Sequence, residues 1–132
     1  MEVRLEHLRP REIRHAMEQC PTLYQPLGTV EWHGEHNIVG LDSLKAHALC
    51  VRAAEQAGGL VAPPLYGGVG GIEFAHTWVM DPENDAYSQL LRPWLEKLCL
   101  ETVRNGFKAM IILTGHPWKS ASNTCARARF AT

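Results

Sequence analysis

Residues 107–116 read Phe107-Lys108-Ala109-Met110-Ile111-Ile112-Leu113-Thr114-Gly115-His116. The first eight form the most strand-like run in the chain, apolar enough to be buried on both faces, as parallel strands are. The run ends in a glycine and a histidine, so a titratable group falls at a strand's C-terminal end. Working outward, residues 84–105 place Tyr87, Leu90, Leu91, Trp94, Leu95, Leu98, Cys99 and Val103 at helical spacing, and Asn105-Gly106 stops them. Pro93 inside this run predicts a kink or a break. Trp94 and Leu98 read as core or interface. Upstream, Leu60–Tyr66 reads as a buried strand interrupted by prolines, Gly67 to Gly71 as a turn, and Phe74–Met80 as a short extended piece.

The N-terminal half repeats the alternation. Pro10 opens a helix over 10–20 with Ile13, Ala16, Met17 and Cys20 on one face, and Pro21 ends it. Residues 22–28 (TLYQPLG) read as a strand made irregular near its end by Pro26. Residues 29–41 form a polar, histidine-rich loop. Asp42-Ser43 then gives an N-cap signal for a helix that places Leu44, Ala48, Val51 and Ala54 on one face and closes at Gly58-Gly59. A last helix is expected after Pro117. Strands alternating with helices predict an α/β fold, a mainly parallel sheet flanked by helices, in one domain over residues 1–132.

Composition narrows the function. Hydrophobic residues make up 45% and charged residues 20% of 132 residues, which fits a globular domain and excludes dominant disorder. Thirteen basic against fourteen acidic residues give a formal charge of -1, with no basic stripe for a nucleic-acid backbone. The apolar runs are too short to span a membrane. The charged start, MEVRLEHLRP, lacks the apolar region of a secretory signal. With four dispersed cysteines (Cys20, Cys50, Cys99, Cys125), this predicts a cytoplasmic protein with reduced thiols.

The chemistry gathers in two places. Glu31-Trp32-His33-Gly34-Glu35-His36 follows the first strand, and Asp42 stands eleven residues after Glu31. In an extended segment Glu31 and His33 point to the same side. Asp42 reads both as a helix cap and as a carboxylate favoured by the helix dipole. His116 follows the 107–114 strand. Sites in open α/β sheets form outside the carboxyl ends of strands, so Glu31, His33, Asp42 and His116 are expected to share one crevice. Two carboxylates and two imidazoles suit a divalent transition metal. His7 and His15 read as solvated, and His47 as a core or boundary residue. Gly67 to Gly71 lacks the Lys and Ser/Thr of a phosphate-binding loop.

The ordered set Pro26-Leu27-Gly28-Thr29-Val30-Glu31-Trp32-His33-Gly34-Glu35-His36, Asp42, Tyr66-Gly67, Phe74, Thr77, Gly106-Phe107 and Gly115-His116 resembles the creatininase family, over the N-terminal half of a typical member. The resemblance implies a creatininase-like α/β fold, shortened at its C-terminal side. It implies a metal-dependent amidohydrolase that cleaves the C–N bond of a small-molecule amide, often cyclic, with a metal-activated water. Zinc or manganese, one or two ions per chain, is the implied cofactor. Glu31, Asp42 and His116 would hold one ion; His33 and Asp42 would hold the second, with Asp42 bridging. Asp42 and His36 are the implied catalytic residues, His36 from the pocket wall, where it orients its neighbours. Association into a homo-oligomer is also implied.

The chain departs from the family pattern in places. Trp118 stands where members with two ions carry a glutamate, Glu35 replaces a common proline, and His76 replaces a glycine. Glu35 and Glu73 are the substitute ligands to consider. Two other readings stay open: a non-catalytic creatininase-like binding or assembly subunit with a degraded metal site, and an unrelated α/β protein with one structural zinc.

Overall fold

A computed structural model describes residues 1–68, 78, 87–116 and 127–129. Helix α1 (Pro10–Gln19) begins as its sequence predicts, with Pro10 in its first turn and the Glu12 carboxylate accepting from the Arg9 N–H at 2.7 Å. Strand β1 (Thr22–Gly28) is central. Helix α2 (Leu41–Ala57) follows it and leads to two short strands, β2 (Leu60–Val61) and β3 (Leu65–Tyr66). Helix α3 (Arg92–Arg104) precedes β4 (Ala109–Thr114), and β5 (Arg127–Arg129) is the last strand among the described residues. The order is β2-β1-β4-β5, with β3 also pairing β1. Strands β2, β3 and β4 run parallel to β1, and β5 runs antiparallel to β4. The expected mainly parallel sheet is present.

Period-2 alternation divides the core into two layers. Tyr24 and Val61 face α2, packing with Cys50 and Ala54. Leu23, Leu60 and Ala62 face the other way, onto Ala16, Ile13 and Met17 of α1. On that second side Met110 of β4 meets Cys99 and Thr102 of α3.

Several expectations need correction. Pro26 does not disrupt β1, which stays in register with β4 from Thr22↔Ala109 through Leu27↔Thr114. Tyr24 accepts from the Ala62 N–H, whereas Leu27 accepts from the Gly115 N–H on the opposite side. Alternation therefore turns the Pro26 nitrogen toward residues 62–64, the gap between β2 and β3, where no donor is needed. Strand β4 is not buried on both faces. Met110 is buried, but Ile111, Ile112 and Leu113 are half-buried. The buried face of α2 is Ser43, Ala46, Cys50 and Ala54, not the Leu44 and Ala48 row; Leu44 is 43% exposed. Small side chains bring this helix close to the sheet, and that closeness outweighs burial of the larger leucines. Finally, Asp42 is not the cap of α2. Gly40 holds that position without a side-chain bond, leaving the Asp42 carboxylate for other partners.

Pro93 does not break the helical run: a π-helical turn over Tyr87–Leu91 passes directly into α3, and Pro93 falls in the first turn of α3, where its missing N–H is tolerated. Along this turn and α3, Leu91 and Thr102 are buried while Leu90, Trp94 and Val103 are exposed. Among the described cysteines, Cys50 is buried and Cys20 and Cys99 are half-buried, all unpaired. Residues 69–71, Glu73, Phe74, His76, Thr77, Trp118, Cys125 and the helix expected after Pro117 lie outside the described residues.

Candidate metal centre

The C-terminal ends of β1 and β4 are neighbours, and the first turn of α2 is laid directly across them. Two glycines make this possible. A Cβ on Gly28 would overlap the Ser43 nitrogen and stand 2.6 Å from the Asp42 carbonyl carbon. A Cβ on Gly115 would overlap the Asp42 carbonyl oxygen. Only hydrogen at both positions lets the helix descend far enough for Asp42 to reach the sheet edge. Beyond Gly28, Val30 forms an isolated antiparallel bridge with Trp78. The Glu31 N–H then donates to the Val39 carbonyl at 2.9 Å and ties off the loop.

This scaffold brings Glu31, Asp42 and His116 together, with one ligand atom from each lying within 4.8 Å of the others. His116 Nδ1 is 2.8 Å from Glu31 Oε1 and 3.2 Å from Asp42 Oδ2. His33 joins from the loop, with Nε2 3.1 Å from Asp42 Oδ1 and 3.7 Å from Glu31 Oε1. The Glu31 and His33 side chains lie together, as expected. The His33 Nδ1–H donates to the Glu31 carbonyl at 2.9 Å, which turns the Nε2 lone pair toward the carboxylates. Lys45, one turn along α2, places its Nζ 3.7 Å from Asp42 Oδ1.

The donor set fits a cation. Asp42 is 1% exposed and Glu31 is 7% exposed. Glu31 Oε2 is buried without a hydrogen-bond partner among the described residues. Two buried carboxylates facing imidazole lone pairs need positive charge between them, as protons or as a metal ion. Burial works to raise the Asp42 carboxyl. The Thr29 hydroxyl and the His33 and His116 rings outweigh it, so the group lies below its ordinary value and stays anionic.

His36 is not drawn into the cluster. It is exposed, its ring lies over Gly34, and it makes no hydrogen bond among the described residues. Glu35 is exposed as well, which places it away from the buried ligands. His7 and His15 are exposed, as expected, beside Glu2 and Glu18. His47 is half-buried. Thr29 escaped the sequence reading. Its hydroxyl donates to Asp42 Oδ2 at 2.8 Å. The signal was available in the spacing, because Thr29 precedes Glu31 by two residues, and residues two apart on an extended chain share a face. A separate cavity of about 590 Å³ lies between α1, α3 and the sheet, lined by Ile13, Met17, Leu23, Trp94 and Phe107. None of the cluster residues lines it.

Fold and site together define an α/β domain with a buried cluster of carboxylates and imidazoles, of the kind that can ligate a metal ion, at the C-terminal edge of its sheet. The creatinine amidohydrolase family model matches residues 6–131, and the chain belongs to the creatininase family. It is 31% identical over 112 residues to a creatinine amidohydrolase from Pseudomonas putida, covering 80% of this chain and 40% of that protein. A manganese form of creatininase superposes with a TM-score of 0.71 at 28% identity, covering 88% of this chain and 46% of the other. A mutant creatininase of Zn-Zn type gives 0.70 at 30% identity, with the same coverage. The chain thus spans less than half the length of these relatives.

Among the described residues, no helix is long and apolar enough to cross a membrane.

Proposed function

We propose that this chain is a metal-dependent amidohydrolase that cleaves the C–N bond of a small amide, with cyclic amides the first class to test. The convergence of Glu31, Asp42 and His116 on one buried point carries the reading. These three would hold a divalent zinc or manganese ion, the metals named for the related creatininases. Such an ion, when bound, lowers the pKa of water and polarises a carbonyl.

The chain's own residues supply the rest. Asp42 Oδ2 and Glu31 Oε1 bring negative charge into a buried site where it is not diluted by solvent. His33 Nε2 and Asp42 Oδ1 face one another and can hold a proton or share a second cation. The His33 side chain is 20% exposed, the most open of the four, so a substrate amide reaches the cluster past this ring. His33 is therefore better placed than the exposed His36 to exchange a proton with a leaving nitrogen. Small-molecule substrates, a cytoplasmic location and self-association belong to the same proposal.

Metal analysis of the purified chain, followed by hydrolysis assays on linear and cyclic amides with added zinc or manganese, tests it. Metal bound at stoichiometric level together with turnover supports the enzyme. Metal bound without turnover of any amide favours the binding or assembly subunit instead. Absence of metal binding removes both the centre and the reaction.

A further inference from the structure

Thr29 sits at the junction of every element that builds the centre. Its side chain is fully buried, at 0% exposure, so no substrate can touch it. Its Oγ1 lies 2.8 Å from Asp42 Oδ2 and 3.3 Å from His116 Nδ1. The methyl is fixed as well: a Cβ on Gly68 would overlap Thr29 Cγ2, so the Gly68 backbone packs against that methyl and opposes rotation about χ1.

A hydroxyl has one proton to give. An ionised carboxylate only accepts, so the proton points to Asp42 Oδ2. Oγ1 then turns lone pairs toward His116 Nδ1. The hydroxyl thus satisfies one acceptor direction on Oδ2 and leaves the His116 lone pair for a ligand. We propose that Thr29 is a positioning residue of the metal centre, its buried hydroxyl holding the Asp42 carboxylate in the orientation that ligates the ion. The proposal rests on the metal-centre reading of Glu31, Asp42 and His116. The groups that position metal ligands affect affinity through orientation, and their loss typically costs about 10–100-fold in metal binding.

The test is a zinc-affinity titration against a chromophoric chelator on the full chain, with thermal melts of the metal-free proteins alongside. Thr29→Val keeps the shape and removes the donor. Thr29→Ser and Thr29→Ala both lack the methyl and differ only in the hydroxyl. Thr29→Val should bind zinc about 10–100-fold more weakly than the parent, and Thr29→Ser at least about 10-fold more tightly than Thr29→Ala. A purely packing role would lower the melting temperatures of Ser and Ala together and leave their zinc affinities equal, which overturns the proposal. Thr29→Val binding zinc as tightly as the parent overturns it too. Should Thr29→Val fail to fold, the Ser and Ala pair decides alone. A parent chain that binds no zinc removes the metal-centre reading and this inference with it, whereas a parent that binds, with equal affinities among the variants, removes only the role of Thr29.

Discussion

Gly115 lies flat against the backbone of Asp42, with no room for a side chain between them. One contact thereby joins the end of β4, which carries His116, to the first turn of α2, which carries Asp42. Gly115→Ala is predicted to damage fold and centre together. The added Cβ meets the backbone of a packed helix, not a flexible side chain, so the cost lies at or above the usual overpacking range, about 3 kcal/mol. A fall in melting temperature of roughly 10 °C is expected, with weakened metal binding in the fraction that folds. A variant that melts with the parent would show that α2 can lift away from the sheet edge freely.

Acidification probes Asp42 directly. Its folded-state carboxyl is depressed below the ordinary value, so the unfolded chain binds that proton more readily than the folded one. The stability it contributes is present above the unfolded pKa, about 3.9, and is lost as pH falls through the folded value. Urea midpoints of the metal-free chain should therefore decline from about pH 4 downward, and Asp42→Asn should decline less steeply. Glu2 and Glu101 are also depressed, Glu2 by the Arg4 side chain and Glu101 by the Arg104 side chain, but they stay in both proteins and drop out of the comparison. Parallel acid limbs in the two proteins would contradict the assignment.

Burial pushes the Cys50 thiol up to about 11, and the residue is buried in the α2 face against the sheet. At pH 8 it should remain protonated and resist alkylation in the native protein, while half-buried Cys20 and Cys99 react first. Iodoacetamide labelling read by mass spectrometry, native against denaturant-unfolded, checks the order. Early Cys50 labelling would mean that α2 opens locally on the labelling timescale.

Much of this arrangement was legible in the residues. The 107–114 run reads as a strand because its consecutive apolar side chains need cover on both sides, and 22–28 reads as one from its place between Pro21 and the polar loop that follows. Their ends then located Glu31 and His116. Hydrophobicity favours Leu44 for the buried face of α2, whereas the packing is decided by how closely Ser43, Ala46 and Cys50 let the helix approach. That distance is a property of Gly28 and Gly115, far away in sequence, and no local pattern contains it. Asp42 looked like a cap because its type and place match one. Only the long-range partners Thr29, His33 and His116 show that its carboxylate turns inward. His36 shares the motif's chemistry, but the turn at Gly34, with its positive φ of 84°, leaves the ring outside.

Asp42 and His36 separate the two ways of reading that motif. Asp42 is a buried ligand candidate whose two oxygens face different groups: Oδ2 toward Thr29 and His116, Oδ1 toward His33 and Lys45. Asp42→Asn keeps the volume and one oxygen but removes the charge that a cation requires. It also places an amide N–H₂ against a neighbour that expects an acceptor, since either orientation of the amide puts donors before Thr29 or Lys45. The loss of zinc affinity should exceed the roughly 100-fold upper end typical of groups that merely orient ligands. Because Gly40 and not Asp42 caps α2, the substitution should not melt the helix start, and the folded protein can be assayed. His36→Ala removes an exposed ring with no hydrogen bond to the cluster among the described residues, so its metal content and melting temperature should match the parent. If Asp42→Asn retains the metal while His36→Ala loses it, the ligand assignment is inverted and the loop over residues 34–36 must fold inward when the ion binds. If both retain it, the ion is held by Glu31 and His116 with a donor other than either of these two side chains.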